Sequence, residues 1–307
     1  MATDPQDLFV EIDTEIDTLK LELCYRDEGA ESGEPVLMIM GLNSQLIHWP
    51  QEIVDKLGAA GYRVIRFDNR DSGRTRWLGQ TPTSYLLRDM ANDAVQLLDH
   101  LGIDKPHVVG ASMGGMIAQR LAIDKPQRVQ TLCSIMSTTG DPSVGGAEDG
   151  VIAELIKPVP AGREEAIAHI VALYELIGSD TYADDERPKR QALAEAAYDR
   201  GTDEEGNPVH AGAGARQVAA ILAGGNRTNK LKTLNVATLV IHGNEDALIN
   251  ISGGRATRDA IPNAQWLAHP EDNGEDGVDG MGHDLPTPLH DPIVEAIVAN
   301  VREPAVA

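Results

Sequence analysis

The sequence predicts an α/β fold: a mostly parallel, doubly wound sheet interrupted by an inserted helical cap. Three observations carry this. Continuous apolar runs such as Val36–Met40 and Ala237–Ile241 have the composition of strands buried on both faces. From Val36 to Ile135, and again after Ala237, such runs alternate with stretches of helical period, the rhythm of βαβ units. Between 140 and 234 the rhythm stops, and an Ala-, Glu- and Gly-rich stretch carries helical patterns with no strong strand candidate. The expected organisation is an α/β core made of 1–139 and 235–307, with 140–234 as a helical cap subdomain. A connection this long between strands is unusual unless it forms an element of its own.

Taken in order, alternation in Leu8–Thr14 and Leu19–Tyr25 suggests an antiparallel hairpin. After the Val36–Met40 strand, Pro50 opens a helix with Ile53, Val54, Leu57 and Ala60 inward. Tyr62–Phe67 is a strand, and Leu86–Leu101 a helix with Met90, Ala94, Val95 and Leu98 on one face. His107–Val109 is a short strand, Met113–Asp124 a helix and Val129–Ile135 another strand. In the insertion, helical patterns occur at Val151–Ile156, Glu164–Ile177 and Arg187–Arg200. Beyond Ala237–Ile241 come a helix near Ile251–Ala260 and a strand at Gln265–Leu267. A last helix, capped by Asp291, turns Ile293, Val294, Ile297 and Val301 inward.

Composition excludes several functions. The chain of 307 residues is 42% hydrophobic and 24% charged, ordinary for a folded protein. Its net charge of −22 repels phosphate backbones and anionic membranes, and 4% aromatics leave little for stacking on bases, so no nucleic-acid partner is expected. Cys24 and Cys133 show neither metal spacing nor a disulfide framework. No run reaches the ~20 apolar residues of a membrane span, and Met1–Pro5 lacks a basic start and an apolar core, so a cytoplasmic location is expected. The oligomeric state, monomer or homodimer, stays open.

The chemistry concentrates in Gly110-Ala111-Ser112-Met113-Gly114, a G-x-S-x-G match followed by Gly115. An apolar strand lies directly before it and an amphipathic helix directly after. Such a turn holds a serine hydroxyl above the sheet in a strained backbone, with the Met113 N–H at the new helix's start facing the same space. A serine needs a base. Of the nine histidines, His283 in Gly280-Met281-Gly282-His283-Asp284 sits where a loop rises at the sheet's carboxyl edge, with His269 and His290 as rivals. The acid should follow another strand. Asp246 does so in Gly243-Asn244-Glu245-Asp246, while Glu245 and Asp141 remain alternatives. Gly41, after the Val36–Met40 strand, permits a turn that aims the Leu42 N–H at the same space.

With Phe67-Asp68-Asn69-Arg70-Asp71-Ser72-Gly73-Arg74, these segments resemble the α/β-hydrolase superfamily over nearly the whole chain. Within it the sequence looks most like the capped serine esterases related to aclacinomycin methylesterase, whose oxyanion loop has Met-Gly as Met40-Gly41 does here. The resemblance implies Ser112 as nucleophile, Asp246 as acid, His283 as base, and Leu42 and Met113 as oxyanion donors. The Asp68–Arg74 loop would lie beneath the oxyanion site, its charges explained by mutual pairing or by substrate.

The expected activity is carboxylic ester hydrolysis through an acyl-enzyme, on uncharged small to medium esters, with no cofactor and no metal. Gly41, Trp49, Met116 and Tyr174 are the expected pocket residues. The alternative is another serine hydrolase of this fold: a C–C bond hydrolase, a lactonase or a cofactor-free haloperoxidase. Asp272, Asp276 and Gly277 suggest part of a calcium loop, but Gly274 and His283 stand where ligands belong, so Glu271–Gly280 reads as a solvated acidic loop.

Overall fold

The apolar runs become one nine-stranded sheet in the computed structural model, which describes residues 7–302 apart from 15, 17, 161, 204–208, 211 and 269–276. The first half contains β1 (Leu8–Asp13), β2 (Lys20–Gly29), β3 (Glu34–Ile39), α1 (Gln51–Ala59), β4 (Tyr62–Phe67), β5 (Arg76–Leu78), α2 (Leu87–His100), β6 (His107–Ala111), α3 (Met113–Asp124) and β7 (Thr131–Ile135). Five helices follow: α4 (Val151–Leu155), α5 (Arg163–Ile177), α6 (Ala183–Gly201), α7 (Ala213–Gly224) and α8 (Thr228–Leu231). The chain then rejoins the sheet with β8 (Ala237–Ile241), α9 (Ser252–Ala260), β9 (Gln265–Leu267) and α10 (His290–Arg302).

The sheet order is β1-β2-β4-β3-β6-β7-β8-β9, with β5 also paired to β2. β1, β2 and β5 are antiparallel, and every ladder from β4 to β9 is parallel. Alternate residues of the central strands feed two different cores. Leu37, Ile39, Val108 and Leu132 join the layer of α2 and α3, whereas Val36, Met38, Val109 and Cys133 join that of α1 and α10. This is why the strands read as unbroken apolar runs.

The boundaries differ from expectation in physically readable ways. Asp291 does not cap the last helix. The chain enters α10 from a 3-10 turn at Thr287–Leu289, so Asp291 lies inside the first turn and pairs with Lys56 at 2.6 Å. Ala60, expected inward, is the exposed C-cap of α1. β5 is three residues long, too short for a period-two pattern. α7 reads AGARQVAAILAG, whose small residues give a weak stripe, yet Ala220 is fully buried. No helix among the described residues is long and apolar enough to cross a membrane.

Candidate active site

Loops at the carboxyl ends of β3, β6, β8 and β9 meet above the sheet. At the end of β6 the chain reverses from strand to helix within one residue. Ser112 accordingly has φ 56 and ψ −122, a conformation costing about 1–3 kcal/mol that the surroundings must impose. Its N–H donates to the Ile135 carbonyl at 2.9 Å, and its carbonyl accepts from Gly115 N–H and the Ser137 hydroxyl, both at 2.9 Å. The flanking glycines are sterically required. A Cβ on Gly110 would lie 2.2 Å from the Gly114 carbonyl oxygen, and one on Gly114 2.0 Å from that of Ile39.

Above this turn, Ser112 Oγ is 2.9 Å from His283 Nε2, and His283 Nδ1 is 2.8 Å from Asp246 Oδ2. Asp246 is buried, and its other oxygen accepts the Leu248 and Ile249 N–H groups at 3.0 and 2.8 Å. His242 Nε2 donates to the Ile249 carbonyl at 2.7 Å and lies 3.2 Å from Asp246 Oδ2. Burial works against the Asp246 carboxylate, but His283 and His242 hold it well below the usual carboxylate range. With its acceptor role fixed, Asp246 orients His283 so that the Nε2 lone pair faces the serine.

The other candidates are engaged elsewhere. Asp141 is half-buried at the insertion's start, accepting from Ser143 and Asn226 through bonds that lie at the surface. His290 Nδ1 meets Glu52 at 3.0 Å and its Nε2 the Leu285 carbonyl at 2.9 Å. His269, Asp272 and Asp276 lie outside the described residues.

Gly41 brings the β3 loop against the serine: a Cβ there would meet Ser112 Cβ at 2.9 Å. The adjoining Leu42 N–H and the Met113 N–H have no acceptor among the described residues, as expected of donors kept for a developing oxyanion. Of the expected pocket residues, Met116 is 5% exposed in the α2–α3 layer beside Met113. Tyr174 is half-buried on α5, whereas Trp49 is 1% exposed in the opposite layer with Met40 and Ile53, leaving little surface for a ligand.

A family model described as the alpha/beta hydrolase fold matches residues 34–272. The chain belongs to that family. Among its alpha/beta hydrolase relatives, rhodomycin D methylesterase of Streptomyces sp. strain C5 is 30% identical over 295 residues, covering 89% of this chain and 93% of that protein. The Streptomyces peucetius rhodomycin D methylesterase is 28% identical over 305 residues, with the same coverage. A thermophilic esterase from Thermogutta terrifontis superposes with a TM-score of 0.72 at 22% identity, covering 96% of this chain and 98% of that one, a likeness of fold.

In this alpha/beta hydrolase fold the helices between β7 and β8 are stitched to the site loops by contacts that the sequence did not reveal. The His283 N–H donates to the Ile177 carbonyl at the end of α5, at 2.7 Å. Glu245, beside Asp246, accepts the Asp180 and Thr181 N–H groups at 2.9 and 3.0 Å. Burial opposes its charge, but these bonds and the Thr181 hydroxyl hold Glu245 below the usual range. Asp284, beside His283, accepts from Arg190 of α6 at 2.8 Å and from the Ser179 N–H at 3.0 Å. Burial pushes the Asp284 carboxyl up, and Arg190 offsets part of that.

The loop after β3 is held from the same side. Gln217 of α7 accepts the Asn43 N–H at 2.8 Å, and Gln45 accepts from Arg200 of α6 at 3.0 Å. Beneath it, Asn69 donates to the Met40 carbonyl at 2.8 Å, and Asp68 accepts the Leu46 N–H at 2.6 Å. The charges of the Asp68–Arg74 loop are not mutually paired. Asp68 meets Arg200 at 2.7 Å, Asp71 meets Arg216 at 2.7 Å and Arg70 meets Asp93 at 2.7 Å, so the loop is a hub joining α2, α6 and α7.

Proposed function

We propose that this chain is a carboxylic ester hydrolase that forms an acyl-enzyme on Ser112, with the helical region 140–234 as a cap over the site. His283 Nε2 takes the Ser112 proton as Oγ bonds to the ester carbonyl carbon and the carbonyl electron pair moves onto oxygen. The Leu42 and Met113 N–H groups receive that oxyanion. On collapse the ester C–O bond breaks, and the leaving alkoxide takes the proton from His283. Water, deprotonated by the same nitrogen, then attacks the acyl-enzyme and releases the acid. Asp246 keeps the His283 proton on Nδ1 and stabilises the imidazolium formed in each half.

The observation that carries this reading is the unbroken hydrogen-bonded line from Ser112 Oγ through His283 to Asp246, at 2.9 and 2.8 Å, on a serine held at positive φ. Likeness to methylesterases over most of the chain supports the ester as substrate class. Uncharged substrates of small to medium size are expected, because Met113 next to the serine belongs to one apolar cluster with Met116 and Leu42. The test is hydrolysis of short p-nitrophenyl esters with labelling by an organophosphonate. Turnover should fall by several powers of ten in Ser112→Ala, with the label on Ser112 of the unaltered protein. A Ser112→Ala variant with near-full activity, or a label on another serine, overturns the reading.

A further inference from the structure

The hydrogen-bond partners of His48 fix where its proton lies. His48 stands at the far end of the loop that begins at Gly41, and its Nε2 is 2.7 Å from the Tyr174 hydroxyl on α5. Either group could donate across that bond. The choice is settled on the other side of the ring, where the Gln45 backbone N–H reaches His48 Nδ1 at 2.9 Å. A backbone N–H only donates, so Nδ1 holds a lone pair. The 3.2 Å approach of Nδ1 to the Gln45 carbonyl is then a neighbour contact within the same turn, with no proton in it. Burial pushes His48 down to about 4, so at neutral pH the ring carries one proton, which sits on Nε2 and is given to Tyr174 Oη.

Tyr174 therefore accepts from His48, and its own O–H is left to donate. No acceptor for it exists among the described residues. Burial also keeps the phenol from ionising, so it stays a donor across the working pH range. Leaving a half-buried hydroxyl donor unmatched is unfavourable unless water or a ligand completes it. Two links tie its segment to the serine and histidine. Tyr174 lies three residues before Ile177, whose carbonyl holds His283, and it is pinned by His48 to the loop that touches Ser112 through Gly41.

We propose that the Tyr174 O–H is a substrate-binding donor, and that the preferred esters carry a second oxygen acceptor, such as a ketone or ether, besides the scissile ester. The inference rests on the ester-hydrolase reading and adds the substrate's chemistry to it. His48 is the positioning residue that orients the phenol. A site built around a donor rejects the analogue lacking the acceptor because the donor is then left unpaired.

The test compares matched pairs: methyl acetoacetate with methyl butyrate, methyl levulinate with methyl pentanoate, and methoxyethyl butyrate with butyl butyrate. Tyr174→Phe removes only the hydroxyl, and its folding is checked by thermal unfolding. In at least one pair the ratio of kcat/KM for the oxygenated member to that for the apolar member should fall about three- to tenfold, the effect of one hydrogen bond. Equal changes in both members of every pair, or none in any, overturn the inference. Failure of the unaltered enzyme to hydrolyse any of the six esters would overturn the ester-hydrolase reading itself, a distinguishable result.

Discussion

Replacing Asp246 by Asn alters one oxygen and tests the logic of the whole site. Asp246 Oδ1 accepts two backbone N–H groups, from Leu248 and Ile249, so the Asn side-chain oxygen must remain there. Its amide nitrogen then takes the place of Oδ2, 2.8 Å from His283 Nδ1. An NH2 group donates where a carboxylate accepted, so the imidazole is driven to the tautomer with its proton on Nε2. That proton points at Ser112 Oγ, and the lone pair that should take the serine proton is gone. Tautomer reversal of this kind costs about ten-thousand-fold in turnover, or about 5.4 kcal/mol in the barrier. Because the two backbone bonds survive, the fold should persist at neutral pH. The charged carboxylate is favoured in the fold, its pKa lying below the unfolded value of 3.8, so its contribution to stability is present above that pH and lost in acid. The Asn variant should lack that acid-sensitive contribution. Steady-state ester hydrolysis should show the loss in kcat with KM little changed. A variant keeping more than about one-hundredth of the turnover, or losing affinity instead, refutes the assigned role of Asp246.

Asp141→Asn should stay within about twofold of full activity, since that carboxylate's bonds to Ser143 and Asn226 lie at the surface; a loss comparable to that of Asp246→Asn in the same assay would move the acid to the earlier strand. Gly41→Ala places a methyl group 2.9 Å from Ser112 Cβ, so the oxyanion loop must shift, and kcat should fall on the order of a hundredfold with the melting temperature little changed. His48 is neutral in the fold down to about 4 but protonates near 6.5 when unfolded. Unfolding therefore takes up a proton between those values, and stability should decline as pH falls through that window by at most about 1.4 kcal/mol per pH unit. Urea titrations of His48→Gln should show a shallower decline, and an equal slope would refute the assignment. Glu245→Ala strips the acceptor from the Asp180 and Thr181 N–H groups and should cost about 1–2 kcal/mol in the same titrations.

Local patterns in the sequence made the strand–turn–helix at Ser112 legible. Gly110, Ser112 and Gly114 sit within five residues, between a strand and a helix whose periods differ, so the geometry can be read from neighbours alone. The strands Tyr62–Phe67, Ala237–Ile241 and Gln265–Leu267 were legible for the same reason. The choice of Asp246 over Asp141 and Glu245 rested on the resemblance and not on local pattern, because each carboxylate follows a strand and only folding shows which one meets His283. The fastenings of the inserted helices were also hidden. Gln45 and Arg200 are 155 positions apart, Asn43 and Gln217 are 174 apart, and His48 and Tyr174 are 126 apart. No periodicity connects residues at such separations. Charge in the Asp68–Arg74 loop suggested mutual pairing or substrate contact, because the nearest opposite charges in sequence are within it, whereas Arg200 and Arg216 reach it from helices far along the chain.

Those fastenings bear on how such a protein can be recombined. A chimera that exchanged only residues 140–234 with a relative would remove Arg190, Arg200 and Arg216 together. Asp284, Asp68 and Asp71 would be left without their counter-charges in half-buried or buried positions, and breaking such pairs from one side is the costly way to break them. The same graft would take away the Ile177 carbonyl that holds the His283 backbone and the N–H groups that seat Glu245. The inserted helices and the loops around Ser112 and His283 are thus held together as one block. A working hybrid has to bring the Asp68–Arg74 loop, Glu245 and Asp284 across with the helices they grip.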